Sequence, residues 1–527
     1  MNTGTDDLLV SIHKALIGFN KRAERVSDEI LEATFVDSAP LFDLLSSNNN
    51  QVIYGRRGTG KTHALKYLAQ VAEKQGEYPV YIDLRSVGSN GSIYNDGSRP
   101  LSERASTLIV DVLNALYNEL YSVALEAIDG APHPEQITIR LDDFATSIQS
   151  VRITGSVEQE QQQRVSTEKE RSLQLLGGLN QNPGLSIKAD GGTKAGSAHS
   201  QRMRRIGNET VHLNFGNIGA SLNGLISVLG APRICLIDEW SEVPVELQPY
   251  LADLLRRTVL PISGVTLKLA AIEHRSNFVM LKGKGEYVGL ELGADIAADL
   301  NLDDFLVFDN NQVKSTEFFK ILLFRHYVTS TDARPEITDP DLLVQIAFTQ
   351  VPVFEEFVRA VEGVPRDALN LAAKIATKAF GNKIAMGHVR NAARDWYQQD
   401  KQAVIRGNPD LDALLTKVID EIIGQRKARA FLFPSSVRDE RIEQLFDARV
   451  LHVLKKNISS RDEPGVRYDV YKIDYGCYVD LVNTSQAPRG LFETEEGFIE
   501  VPRDDYRSIR RAILKPQALN GAVATIQ

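Results

Sequence analysis

Cysteine is nearly absent from this chain: Cys235 and Cys477 are the only two in 527 residues. That excludes a disulfide-stapled framework and a zinc module built on cysteine clusters, and it fits a reducing compartment. Cys235 lies inside an apolar run, where a small buried residue is the plain reading. No stretch of about 18 or more apolar residues stands out, so no bilayer-spanning segment and no membrane partner are expected. The opening residues, Met1-Asn2-Thr3-Gly4-Thr5-Asp6-Asp7, lack the basic start and apolar core of a signal peptide, and the expected location is cytoplasmic. An excess of positive charge is missing as well. With a net charge of −9, any contact with nucleic acid must be a local patch rather than a whole basic surface. The length exceeds what one hydrophobic core supports, so two to four domains are expected.

What is present is a strand–helix rhythm. Residues 1–50 form an N-terminal helical segment, with Leu8, Leu9, Ile12, Ala15, Leu16 and Phe19 at helical spacing. Gln51-Val52-Ile53-Tyr54 reads as a strand running into a glycine-rich turn, followed by a helix over 63–74 and a second strand, Pro79-Val80-Tyr81-Ile82-Asp83-Leu84. A long helix covers 101–127, Arg233 to Ile237 is a buried strand, 245–259 a helix and 265–272 another strand. This alternation implies an α/β fold, a parallel sheet flanked by helices, over 51–310. Within it, 129–207 is polar and rich in Gln, Gly and Ser, and reads as a partly disordered insertion or exposed hairpin. A mobile surface loop and a partner-binding element are both open for it. Residues 311–403 are helical, Asn408-Pro409 marks a linker, 409–483 is a compact helix-then-hairpin unit, and 484–527 is a charged tail.

The chemistry concentrates in Gly55-Arg56-Arg57-Gly58-Thr59-Gly60-Lys61-Thr62, which satisfies G-x-x-x-x-G-K-[ST] between a strand and a helix. Glycines let consecutive N–H groups converge on one anion-sized hollow, and the helix starting near Gly60 adds its positive end. Lys61 supplies a charge to the β- and γ-phosphates and the Thr62 hydroxyl an oxygen to Mg²⁺. The expected ligands are therefore ATP and Mg²⁺. The apolar strand Ile234-Cys235-Leu236-Ile237 ends in two carboxylates: Asp238 to hold the metal through water, and Glu239 to polarise an attacking water. Mg-dependent ATP hydrolysis is the expected activity.

These residues resemble the AAA+ ATPases, and within them the origin-recognition (ORC-type) initiators. The glycine loop is similar to that superfamily's Walker A motif and Leu236-Ile237-Asp238-Glu239 to its Walker B. The strand Leu267 to Ile272 runs into Glu273-His274-Arg275-Ser276, where the family places sensor 1. That resemblance puts His274 and Arg275 at the nucleotide. An arginine there also resembles the STAND signalling ATPases, whose output is recruitment of a protein partner. The helix opening Val364-Pro365-Arg366-Asp367 is similar to the sensor 2 helix of a helical lid, with Arg366 as the γ-phosphate arginine. Pro365 followed by Arg is also ordinary first-turn chemistry. A trans-acting arginine finger, with self-association or a protein partner, is implied, and Arg256, Arg257 and Arg275 all compete for it.

After the lid, the family carries a C-terminal winged helix, which 411–481 resembles. Arg438, Arg441, Arg449, Lys455, Lys456, Arg461 and Arg467 lie where such a module meets phosphates, while Asp439, Glu440, Glu443 and Asp447 share the region. Duplex DNA contact, protein docking and structural packing all remain open for it. The expectation is an ORC-like, DNA-associated switch ATPase, with a STAND-like signalling or defence ATPase as the alternative.

Overall fold

The computed structural model describes residues 3–37, 40–88, 94–129, 133–149, 152–153, 211–229, 233–283, 285–303, 311–426, 428–459, 465–482 and 512–516. The chain divides into two compact units: Met1–Ser86, Ala231–Pro249 and Ser263–Gln527 in one, Val87–Gly230 and Tyr250–Ile262 in the other.

Twelve strands are described: β1 (Gln51–Tyr54), β2 (Tyr78–Asp83), β3 (Arg152–Ile153), β4 (Val211–His212), β5 (Arg233–Asp238), β6 (Val265–Ala271), β7 (Val279–Lys282), β8 (Glu286–Gly289), β9 (Ala297–Asn301), β10 (Ala430–Pro434), β11 (Leu451–Ser459) and β12 (Arg467–Ile473). The first unit is built on a parallel sheet in the order β2-β5-β6-β1-β9. β1 is buried at all four positions, as expected of an apolar strand covered on both faces. Its successor along the chain, β2, lies three places away, and β9 flanks it on the other side. This reversal of winding direction opens a crevice at the carboxyl ends of the strands, where open α/β sheets bind ligands. The helix Lys61–Lys74 covers the sheet through Ala64, Leu65 and Leu68, which pack with Ile53, Leu236, Ala270 and Leu300, and with Phe35, Leu41 and Leu45 from the short helices before β1.

Five helices, Gln312–Val328, Pro340–Ala347, Val351–Ala360, Pro365–Ala379 and Met386–Trp396, form a second core of the same unit. The amino-terminal helix Thr3–Gly18 belongs to that core through Ile12, Ala15 and Leu16. Packing therefore groups it with the lid helices rather than as a separate segment. A third core closes the C-terminal module: the helix Pro409–Val418, the helix Glu440–Asp447 and an antiparallel sheet in the order β10-β12-β11. Leu432 of β10 exchanges backbone hydrogen bonds with Ala512 and Leu514, so this piece of the expected charged tail serves as an apolar edge. The rest of 484–527 lies outside the described residues.

In the second unit, and contrary to the expectation of no bilayer-spanning segment, the helix Leu101–Ile128 is long and apolar enough, by length and composition, to cross a membrane. Its buried positions Leu108, Val112, Leu116 and Leu120 fall on one stripe, the pattern of a helix packed on protein. The helix Pro134–Gln149 buries Ile137, Leu141, Phe144 and Ile148 at helical spacing. Ser221 of the helix Phe215–Leu229 hydrogen-bonds Ser147 at 2.8 Å. An ordered helix thus occupies the start of the stretch read as a polar insertion, and 154–210 lies outside the described residues.

Candidate nucleotide site

The loop after β1 turns because Gly58 and Gly60 take φ of 92° and 98°, conformations that side chains resist. The helix begins at Lys61 with Gly60 as its N-cap, so its unpaired N–H groups point into the crevice. A cavity of about 300 Å³ opens there, lined by Gly58, Gly60, Lys61 and Thr62 on one wall and by Glu239 and Glu242 on another. The helix starting at Pro365 supplies Arg366, and the segment after the amino-terminal helix supplies Lys21, Arg22 and Glu24. In all, six cationic side chains (Lys21, Arg22, Arg57, Lys61, Arg85, Arg366) meet three carboxylates, an excess suited to a polyanion.

Lys61 is buried, and its ammonium donates to the carbonyls of Gly55 at 2.6 Å and Arg56 at 3.1 Å. Burial pulls its pKa below the ordinary lysine range, while Glu239, Asp303 and Asp238 oppose that pull. Thr59 caps the turn by donating to the Arg56 carbonyl at 2.9 Å. Arg366 is fixed by its backbone N–H, which donates to the Gly58 carbonyl at 3.2 Å. Among the described residues its guanidinium has no hydrogen-bond or ion-pair partner, although burial already depresses its pKa. A half-buried cation aimed into a cavity without a partner is costly unless an anion joins it.

Asp238 is fully buried at the carboxyl end of β5. It accepts from the Tyr81 hydroxyl at 2.8 Å and from the Glu239 N–H at 2.8 Å. Glu239 takes a left-handed φ of 57°, a strained conformation for a non-glycine residue, which swings its carboxylate to the cavity wall. Burial and then Asp238 push the Glu239 carboxyl above the ordinary range, and Arg85, 3.5 Å away, and Lys61 pull it back. Arg85 is itself held by Asp83 at 2.6 Å and by Glu24 at 3.2 Å. Thr62 and Asp238 offer a hydroxyl and a carboxylate, hard oxygen donors that fit Mg²⁺, which takes few protein ligands and keeps water and phosphate as the rest. No cluster of three or more His, Cys, Asp or Glu suited to another metal occurs among the described residues.

The structure thus gathers Gly58, Gly60, Lys61, Thr62, Glu239 and Arg366 as expected, with Asp238 directly behind Glu239. Three expectations require correction. Arg56 does not face the cavity: its side chain is buried in the interior and bonds Asp303 at 2.7 Å. His274 and Arg275 do not line it either. β6 ends at Ala271, and the following turn carries both residues outward to Asp447, at 2.7 Å and 2.5 Å. The arginine that suggested the signalling ATPases is therefore occupied elsewhere. Gly55 and Thr59 act behind the wall through backbone and hydroxyl contacts, and Arg57 sits at its rim, paired with Glu242 at 2.7 Å. Lys21, Arg22 and Arg85 are additions that no motif announces. The basic pair after the first helix, and the arginine two residues past β2, are the only local signals for them.

Fold and loop together define a P-loop α/β protein. Residues 19–75, which hold β1, the glycine loop and its helix, match the family model ORC-CDC6-like, so this segment resembles origin-recognition and Cdc6-type proteins. The solved structures similar to the chain include the Orc1 protein of Aeropyrum pernix in complex with DNA, at 15% identity and a TM-score of 0.32, covering 85% of this chain and 91% of that chain. No curated protein matches.

Proposed function

We propose that this chain is an ORC-like switch ATPase that binds ATP with Mg²⁺ in the cavity above β1 and hydrolyses it. The observation that carries the reading is Arg366. It is an unpartnered guanidinium on the helical lid, joined through its own N–H to Gly58, and it lines the same cavity as Lys61 and Glu239. Such an arginine makes lid position depend on the triphosphate. Lys61 and the loop N–H groups bind the β- and γ-phosphates; Thr62 directly and Asp238 through water would hold the metal, which would offset phosphate charge. Glu239 orients the attacking water and accepts its proton.

Contact with duplex DNA through the C-terminal module, which resembles a winged helix, is the second part of the proposal. Its support is narrower than the row of cations in the sequence. Arg449 is paired with Asp367, Lys456 with Glu273 and Arg441 with Asp439, while Arg461 lies outside the described residues. Arg438 is exposed at the start of the helix Glu440–Asp447 and is the best placed of the set to meet a phosphate.

Binding of a fluorescent ATP analogue and phosphate release, each with and without duplex DNA, test the reading. Lys61→Ala loses binding. Glu239→Gln binds ATP but turns over about 100-fold or more slowly, the usual contribution of a positioned base. Normal hydrolysis by Glu239→Gln refutes the catalytic assignment. Duplex affinity that ignores salt, or is unchanged by Arg438→Ala, refutes the DNA assignment.

A further inference from the structure

Arg56 sits beside the glycine that opens the phosphate loop, yet its side chain runs away from the cavity into a buried group of charges. Its backbone N–H and Nε bind the two oxygens of Asp303, at 2.9 Å and 2.7 Å. One terminal nitrogen donates to the Glu362 carbonyl at 2.6 Å, and the other meets Nδ1 of His452, a residue of β11 in the C-terminal module. A guanidinium only donates, so Nδ1 must accept. On the far side of the ring, Nε2 lies 3.2 Å from a carboxylate oxygen of Asp474. Burial opposes ionisation of Asp474, but Lys401 at 2.5 Å and the His452 N–H outweigh it and hold its carboxyl well below the ordinary range. An ionised carboxylate only accepts. One form of His452 satisfies both neighbours, the neutral imidazole with its proton on Nε2. Burial and the Arg56 charge favour the same form, lowering its pKa to about 4.

The same contacts reach the site's other wall. Lys401 lies 3.8 Å from Asp367, the neighbour of Arg366, and Asp367 also takes Arg449. Glu362 takes Arg429 and Lys472. Glu362 and Arg449 hold left-handed φ of 53° and 60°, strain that persists only where surroundings over-determine it. The Arg56 carbonyl is itself an acceptor for the Lys61 ammonium and for Thr59, so a displaced Arg56 carries the lysine's anchor with it.

We propose that His452 is a positioning residue of the nucleotide site: its neutral Nε2–H form fixes the Arg56 guanidinium, the Arg56 carbonyl fixes Lys61, and docking of the C-terminal module and nucleotide binding therefore strengthen one another. The proposal rests on the reading of the cavity as an ATP site. Linkage makes the effect reciprocal: whatever the docked module adds to ATP affinity, ATP adds to docking. A purely adhesive contact would leave the loop's affinity unchanged.

Titrations of a fluorescent ATP analogue against the full chain, as wild type, Lys61→Ala, His452→Ala and His452→Gln, test it, together with steady-state kinetics. His452→Ala raises Kd and KM about tenfold with kcat within about twofold, because the anchor acts on ground-state binding. His452→Gln recovers most of the affinity, since its amide oxygen accepts from Arg56 and its N–H donates to Asp474. Unaltered ATP binding by Lys61→Ala sinks the reading of the site. Loss of binding in Lys61→Ala alongside wild-type affinity in His452→Ala overturns this proposal alone, as does a Gln variant no better than Ala. Should His452→Ala fail to fold, hydrogen exchange on the wild type decides. Saturating ATP slows exchange in β11 and β12 if the coupling exists, and unchanged exchange there refutes it.

Discussion

Gly58→Ala probes the junction between loop and lid with one methyl group. At Gly58, φ is +92°, and a Cβ built there lies 3.0 Å from Cβ of Arg366 and 3.0 Å from a methyl of Val364. The backbone conformation alone costs an alanine about 1–2 kcal/mol. The two contacts fall well inside the 3.5–4.0 Å optimum for carbon pairs, and Val364 is fully buried, so relief requires moving the start of the helix Pro365–Ala379. Overpacking of this kind costs about 1–3 kcal/mol, and the total is roughly 2–5 kcal/mol. The assay is denaturant unfolding followed by tryptophan fluorescence, because Trp240 reports on the sheet domain and Trp396 on the lid helices. Val364→Ala removes one of the clashing methyls, so the double variant loses less than the sum of the two single losses. Strict additivity, or a Gly58→Ala protein as stable as wild type, refutes the packing argument. ATP affinity in Gly58→Ala falls as well, because Arg366 is displaced with the helix.

Two further outcomes concern pH. Arg85 lowers the Glu239 carboxyl, which burial and Asp238 hold above its ordinary range; Arg85→Gln therefore moves the acid limb of the kcat–pH profile upward, Arg85→Lys largely restores it, and a limb that stays put or moves down counts against Glu239 as the base. His452, faced by Arg56, Asp474 and Glu362, titrates at about 4 when folded and at 6.5 as a free imidazole. Between those values the unfolded chain holds the extra proton, so stability is full above pH 6.5 and falls by about 3 kcal/mol as pH drops to about 4. Unfolding midpoints measured across that window show the loss in the wild type and a shallower one in His452→Gln; equal slopes refute the assignment.

The sequence displays most plainly what local chemistry determines. β1, the glycine loop and the helix from Lys61 are contiguous, so strand pattern, turn glycines and helix start announce one another. Asp238 and Glu239 are legible because the apolar run of β5 has to end at the sheet's carboxyl edge. Pro365 marks a first helical turn, which places Arg366. Residues whose roles come from tertiary approach were not legible. Lys21, Arg22 and Arg85 carry no motif, and they line the cavity because the segment after the first helix and the end of β2 converge there. The outward course of His274 and Arg275 depends on Asp447, more than 170 positions on. The helix Pro134–Gln149 was hidden because only Ile137, Leu141, Phe144 and Ile148 carry its apolar stripe within a polar stretch.

Arg56 and Arg57 show how one loop serves two purposes. A phosphate loop binds through backbone N–H groups and the final lysine, which leaves the side chains at its variable positions free for other contacts. Arg57 stays half exposed at the rim, and Arg56 is almost wholly buried. Burying Arg56 beside Asp303, Glu362, His452 and Asp474 is a poor way to gain stability alone, since desolvation of such groups offsets much of their attraction and apolar residues of similar volume often do as well. A buried polar cluster does confer register, because each donor and acceptor is satisfied in one arrangement only. Here that arrangement contains the Arg56 carbonyl, which holds Lys61, and Asp367, which follows Arg366. On the proposed coupling, the seating of the C-terminal module therefore bears on Lys61 through the Arg56 carbonyl and on the turn that carries Arg366 through Asp367.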